Sequence, residues 1–226
     1  GSLSEASGGS IIVSGNLPLT LADAELFFTT ASNDVSQQTF TFKVQDNGGT
    51  ANSGDNESPN ATVTVTITAV NDIPVINAVS DPTAILEDAG SQTINLAGIG
   101  DGDADVTQSL TVTATSSNTS LIPNPTVTYT SDNATGSLAY TPVSDINGTA
   151  VITVTVTDDG GTANSGVNAK SITFTVTVTA VNDEPVADAQ GVTAIEDVEK
   201  SITLTGSDGD ADATQSLTYI LSGLPG

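Results

Sequence analysis

Strict alternation of apolar and polar residues limits what this chain can become. In "ATVTVTITAV" at 61–70, "AVITVTVTD" at 150–158 and "SITFTVTVTAV" at 171–181, Val, Ile or Phe lies on one face and Thr on the other. Side chains of a strand point alternately to its two faces, so each stretch reads as a strand with one face to bury. Between them lie clusters such as "DNGGTANSGDNESPN" and "DDGGTANSGVNAK", made of residues that supply turns. Hardly any of the sequence looks helical, and an all-β sandwich follows.

The pattern also repeats. "GGTANSG" begins at 48 and at 160, "AVND" at 69 and at 180, and "GDAD" with "TQSLT" behind it at 102 and at 209. A period near 110 residues is the length of one Ig-like sandwich. "VND-x-P" then reads as the joint between units, its Pro stiffening the chain as it enters the next one. On this reading 74–183 is a complete domain, 1–73 carries the later strands of one, and 184–226 carries the start of one and stops in mid-domain. The two partial pieces are complementary. Joined as 185–226 and then 1–72 they make 114 residues, against 110 for 74–183. The expectation is a tandem array in which one copy completes the next, head to tail, by covalent continuation or by exchange between chains.

The formal charge of −24, from 27 acidic residues against three Lys or Arg, excludes nucleic acid and anionic lipid as natural partners and favours small cations. No stretch is apolar enough to insert directly into a membrane. With no Cys and no His, the chain lacks thiolate and imidazole chemistry, the commonest general base among them. A glycosidase working through two carboxylates would need them to converge on one cleft, whereas these recur in repeated loops. The chain is not expected to be an enzyme.

These motifs resemble the bacterial cadherin-like repeats of large surface adhesins, Ig-like sandwiches joined by "VND-x-P", and more distantly the animal cadherins. The resemblance spans the whole chain and implies calcium between domains, at the bacterial cell surface or outside the cell. The residues support this on their own account. In a seven-strand sandwich beginning at Pro74, strand B is "SQTINLAG", C "QSLTVTAT", F "AVITVTV" and G "SITFTVTV". The B–C and F–G loops then lie at the end where the chain enters, bringing Asp101, Asp103, Asp158 and Asp159 near Asn71 and Asp72 of the joint. Calcium takes six to eight oxygens from carboxylates, amides and carbonyls, which suits such a set.

At the opposite end stand Glu87 and Asp88 of the A–B loop and Asp145 of the E–F loop, with Asn182 and Asp183 of the exit joint beyond, then Asp208 and Asp210. The order matches the cadherin pattern, except that the E–F motif is a lone Asp and not Asp-x-Glu. In a completed array Asp34, Glu196 and Asp197 would serve Asn71 and Asp72, and Asp46 would join Asn182, Asp183, Asp208 and Asp210. "DGDAD" is not an EF-hand loop, since its sixth and twelfth positions are Val106 and Val112, or Ala213 and Tyr219. "GGTANSG" reads as a flexible hairpin turn. Lys43 alternates with inward Phe40, Phe42 and Val44 and so faces solvent, which argues against an isopeptide crosslink.

The expected function is a calcium-stiffened extender of a long adhesin or surface filament. The alternative is a calcium-dependent carbohydrate-binding module, with polysaccharide as partner. Aromatic residues make up only 4% and Trp is absent, leaving little to stack on a sugar ring.

Overall fold

Two long Thr/Val strands, Gly148–Asp158 and Ala169–Thr179, carry the fold. They pair antiparallel from Gly148 opposite Val178 to Thr157 opposite Ala169. That register puts Ile152, Val154, Val156, Phe174, Val176 and Val178 on one buried face and Thr on the other. The structure is a computed structural model that describes residues 2–4, 11–12, 25–210 and 214–223.

In chain order the strands are β1 Ser2–Ser4, β2 Ile11–Ile12, β3 Phe27–Thr29, β4 Gln38–Phe42, β5 Ala61–Val65, β6 Ile85–Leu86 and β7 Gln92–Ala97. There follow β8 Leu110–Ser116, β9 Thr126–Thr128, β10 Thr135–Tyr140, β11 Gly148–Asp158, β12 Ala169–Thr179, β13 Val186–Ala187 and β14 Gly206–Ser207. The chain divides into two compact units. The first takes its described residues from Gly1–Ile73, Asp101–Gln108 and Gly160–Asn168, the second from Pro74–Gly100, Ser109–Asp159 and Ala169–Gly226.

The second unit holds a seven-strand sandwich. One sheet runs β7-β10-β9 and the other β6-β12-β11-β8. All the pairings are antiparallel except β6 with β12, where Val178 lies opposite Ile85. Leu96, Leu138 and Tyr140 of the first sheet meet Leu110, Val112, Ile152, Val154 and Phe174 of the second in one core. Leu121 and Ile122, from the β8–β9 connection, plug it and are fully buried. The strands expected as B, C, F and G are β7, β8, β11 and β12.

The remaining segments pair less. In the first unit β1 lies between β2 and β3, while β4 and β5 form a two-stranded ribbon with Phe40 opposite Val63. The alternation over 61–70 yields a strand only at Ala61–Val65, because β4 offers it no more ladder than that. In the second unit, the "SITLTG" and "SLTYIL" stretches near residues 201–221 show the alternation of strands, yet only β13 and β14 pair there. A strand needs a neighbour for its amides and carbonyls, and here the apolar positions Ile202, Leu204, Tyr219 and Leu221 are exposed. Lys43 is half exposed and ion-paired with Glu57, but Phe42 and Val44, expected to face inward, are 47% and 63% exposed, because the two-stranded ribbon has no core to bury them.

Core and rim should respond differently. Ile152→Ala, at a fully buried site, is expected to cost about 2–5 kcal/mol of unfolding free energy. Val151→Ala, whose side chain is on the outer face of the same strand, should change it by roughly 0.5 kcal/mol or less. Urea unfolding of the two variants checks both, and equal losses would place the core on the wrong face of β11.

Candidate metal centre

Acidic residues gather where the strands end. Asp88 follows β6 in a turn, Asp145 lies between β10 and β11, and Asp183 follows β12. One carboxylate oxygen from each lies within 4.8 Å of the others. Oxygens bound to a single calcium at 2.3–2.6 Å are at most about 5 Å apart, so the spacing fits one ion. Asp145 has a φ of 59°, a left-handed conformation that Asp tolerates better than most residues. Beside the group Glu87 is almost wholly buried, and its Oε1 accepts the Val181 backbone N–H at 2.6 Å. The exit strand is thus tied to the turn that carries Asp88. Asn182 is exposed and donates from Nδ2 to the Asp183 carbonyl at 3.1 Å.

Within the first unit, a second acidic locus is built on hydrogen bonds. Asp101 Oδ2 accepts the Gln108 backbone N–H at 3.1 Å, and Asp103 Oδ2 accepts Gln108 Nε2 at 2.9 Å. Asp103 Oδ1 also accepts the Asp105 and Val106 amides. Hydrogen bonding to Asp105 and to backbone amides, that of Asp72 included, holds the Asp103 carboxyl below its usual range. The same bond to Asp103, then burial, then the charges of Asp103 and Asp72 push the Asp105 carboxyl up. Gln108 is itself buried, and no hydrogen bond reaches its Oε1 among the described residues. Asp105 and Gln108 were not singled out from the sequence; their signal was the repetition of "DGDADxTQ" as a whole.

Asn71 is the structural centre of that unit's joint. Its Nδ2 donates to the Val167 carbonyl at 2.9 Å, and its own carbonyl accepts the Val167 N–H at 3.1 Å. A Cβ on Gly160 would stand 2.0 Å from Asn71 Oδ1, and one on Gly166 2.9 Å from Asn71 Cβ. Asn71 therefore fills a socket that only glycines leave open. The turn around it is shaped, with a 3₁₀ segment at Ala163–Ser165 and left-handed Asn164 and Ser165. The turn at Ala51–Ser53 has the same form, with left-handed Asn52 and Ser53.

The other expected site residues are dispersed. Asp208 Oδ2 accepts the Gln215 amide at 2.6 Å and Asp210 Oδ2 accepts Gln215 Nε2 at 2.7 Å, the same arrangement as around Gln108. Gly209, at a φ of 79°, lets that loop lie against the Glu184 carbonyl, where a Cβ would come within 2.1 Å. The repeat's last Asp, at 212, and Ala213 lie outside the described residues, as does the expected junction of 224–226 with residue 1 and residues 5–9. Asp158 is buried, while Asp159 Oδ1 accepts the Ser109 N–H at 2.9 Å and fixes the start of β8. Asp34 accepts the Ser36 hydroxyl and amide, which lower its pKa; its neighbour Asn33 has the left-handed conformation of Asp145. Asp46 Oδ1 caps the Gly48 amide at 2.8 Å. Glu196 and Asp197 stand exposed in a turn closed from Val198 N–H to the Ile195 carbonyl. Among the described residues, Asp88, Asp145 and Asp183 make the one group of three carboxylates close enough to share an ion.

The fold and these loops define a class, an all-β protein with a seven-strand sandwich, acidic loops and an asparagine held in a glycine socket. No family model matches the chain, and no curated protein sequence does. Among solved structures, domains 4 and 5 of the S-layer protein SbsC are similar at 20% identity, covering 54% of this chain and 53% of that one, with a TM-score of 0.31. SbsC domains 1–6 are similar at 16% identity, covering 57% of this chain and 16% of that one, with a TM-score of 0.28. Likeness at this level leaves function to be argued from the chain's own residues.

Replacing the joint asparagine tests the socket. Asn71→Ala removes the Nδ2 bond to the Val167 carbonyl, keeps the backbone bond from the Val167 N–H, and opens a void between Gly160 and Gly166, at a cost of about 1–3 kcal/mol. Amide exchange in 160–168 should speed by about tenfold or more, at 1.4 kcal/mol per tenfold. Unchanged exchange would show that Asn71 does not hold the turn.

Proposed function

We propose that the chain is a calcium-stiffened structural repeat, a stalk segment of a long extracellular fibre or bacterial surface adhesin. The observation that carries this reading is the convergence of Asp88, Asp145 and Asp183, from three elements distant in sequence, within the reach of one calcium ion. A fully solvated acidic surface gains nothing from such convergence, since like charges repel. An oxygen-only ligand set in a chain without His or Cys suits a hard cation. Asn182 and backbone carbonyls of the joint are the candidates to complete its shell. The Asp72, Asp101 and Asp103 set, within the first unit, is the candidate for the preceding joint.

The mechanism uses the exit strand. Glu87 already holds Val181, and an ion on Asp183 would hold the next turn of the chain to Asp88 and Asp145. Metal would neutralise the carboxylates and leave the linker one direction in which to emerge; without metal, repulsion would let it swing. Extracellular calcium, near a millimolar, fills even sites with dissociation constants of about 10⁻⁴ M. The location rests on that range and on the likeness of the "VND-x-P" repeats to surface adhesins. Among the described residues no helix is long and apolar enough to cross a membrane.

Isothermal titration with calcium should show Asp145→Asn and Asp183→Asn each weakening binding by roughly tenfold, because each removes one charged ligand. Small-angle scattering should show the wild-type chain longer and stiffer with calcium than with chelator. In chelator the sandwich should keep its β signal and lose about 1.4 kcal/mol relative to calcium at ten times its dissociation constant. Unchanged affinity in both variants would remove the two residues from the site, and unchanged scattering would end the stalk mechanism. Calcium-dependent retention on insoluble polysaccharide would favour the carbohydrate-binding module instead.

A further inference from the structure

We propose that residues 184–210 and 214–223 of one copy of this chain bind the β4–β5 ribbon of a second copy, completing a sandwich core head to tail. The sandwich of β6–β12 serves as the internal reference. Its B and C strands bury Leu96 and Leu110 against β11 and β12. The same sequence positions in the C-terminal segment are Leu204 and Leu217, where Leu204 is 44% exposed against 1% for Leu96. The β11–β12 pair likewise has its counterpart in β4–β5. Ile152 lies opposite Phe174 in one and Phe40 opposite Val63 in the other, the same register one repeat apart. Val154 is 0% exposed, and its counterpart Phe42 is 47% exposed. Each exposed face therefore corresponds to half of a core that the chain shows assembled elsewhere.

The joint supplies an independent fit. Asn71 occupies the glycine socket of the 160–168 turn. The 48–54 turn repeats that shape, yet a Cβ on Gly48 or Gly54 would meet only Asp46, Gly49 and Ala51 of the turn itself. At the other joint Asn182, the counterpart of Asn71, is exposed. A matching peg and socket are thus present, and docking of one copy's C-terminal segment on a second copy's ribbon would bring them together. The contact is heterologous, so it propagates into an open filament. It needs no metal, and its failure would leave the calcium reading intact.

Sedimentation of the full chain across a concentration series is expected to show wild-type assemblies that grow with concentration. Leu204→Asp and Phe42→Asp, both at exposed positions, should each weaken association about 100-fold or more by placing a charge in the completed core. Circular dichroism should show the β6–β12 sandwich intact in both. Mixed one to one, they should form a capped heterodimer, because the Leu204→Asp chain keeps its ribbon and the Phe42→Asp chain keeps its C-terminal face. Asn182→Cys in the Phe42→Asp chain and Gly54→Cys in the Leu204→Asp chain should then form a disulfide between chains. Wild type that stays monomeric at every soluble concentration would overturn the proposal. So would variants that associate as wild type does, or a mixture that yields neither heterodimer nor disulfide.

Discussion

The antiparallel ladder between β11 and β12 is the interaction on which the rest depends. Its backbone bonds fix a register in which Val, Ile and Phe share one face, and burial of that face supplies the main driving force. A slip of one strand by one residue would turn its Thr inward and its Val outward. The same ladder sets the ends of the sandwich. Asp145 lies just before β11 and Asp183 just after β12, so the pairing that builds the core also carries two of the three converging carboxylates to one place.

The acidic loops have two kinds of work, and the structure separates them. Asp101, Asp103, Asp208 and Asp210 spend oxygens on Gln108 and Gln215, which gives the B–C loop and its repeat their shape. Asp46 and Asp159 spend theirs on backbone amides nearby. Asp88, Asp145 and Asp183 instead face one another. A carboxylate that accepts amide hydrogens offsets its own charge locally, whereas charged carboxylates that converge repel one another unless a cation lies between them.

Asn71 shows how a joint motif acts through its neighbours. The "VND" sequence gains meaning from Gly160 and Gly166, which lack the side chains that would collide with it, and from the Val167 backbone, which bonds to it on both sides. Asn182 has the same sequence context and remains exposed, its Nδ2 donating to the carbonyl of its neighbour Asp183. Identical short motifs thus adopt different roles according to what packs on them.

The all-β class and four strands of the sandwich, β7, β8, β11 and β12, were legible in the sequence, because alternation and turn chemistry are local properties of the chain. The repeat was legible too, down to the loops that later proved to share a conformation. Which alternating stretches became strands was decided by tertiary structure: 150–158 found partners on both sides, while 201–205 and 217–221 did not and stayed outside any ladder. The same holds for the acids. Sequence could name Asp88, Asp145 and Asp183 together with more than a dozen others, but only the fold could bring them together, since proximity between residues so far apart in the chain is fixed by strand pairing and not by spacing. Nor could sequence reveal that Asp105 and Gln108 belong to the loop's hydrogen-bond network, because which side-chain oxygen meets which amide depends on the turn's three-dimensional closure.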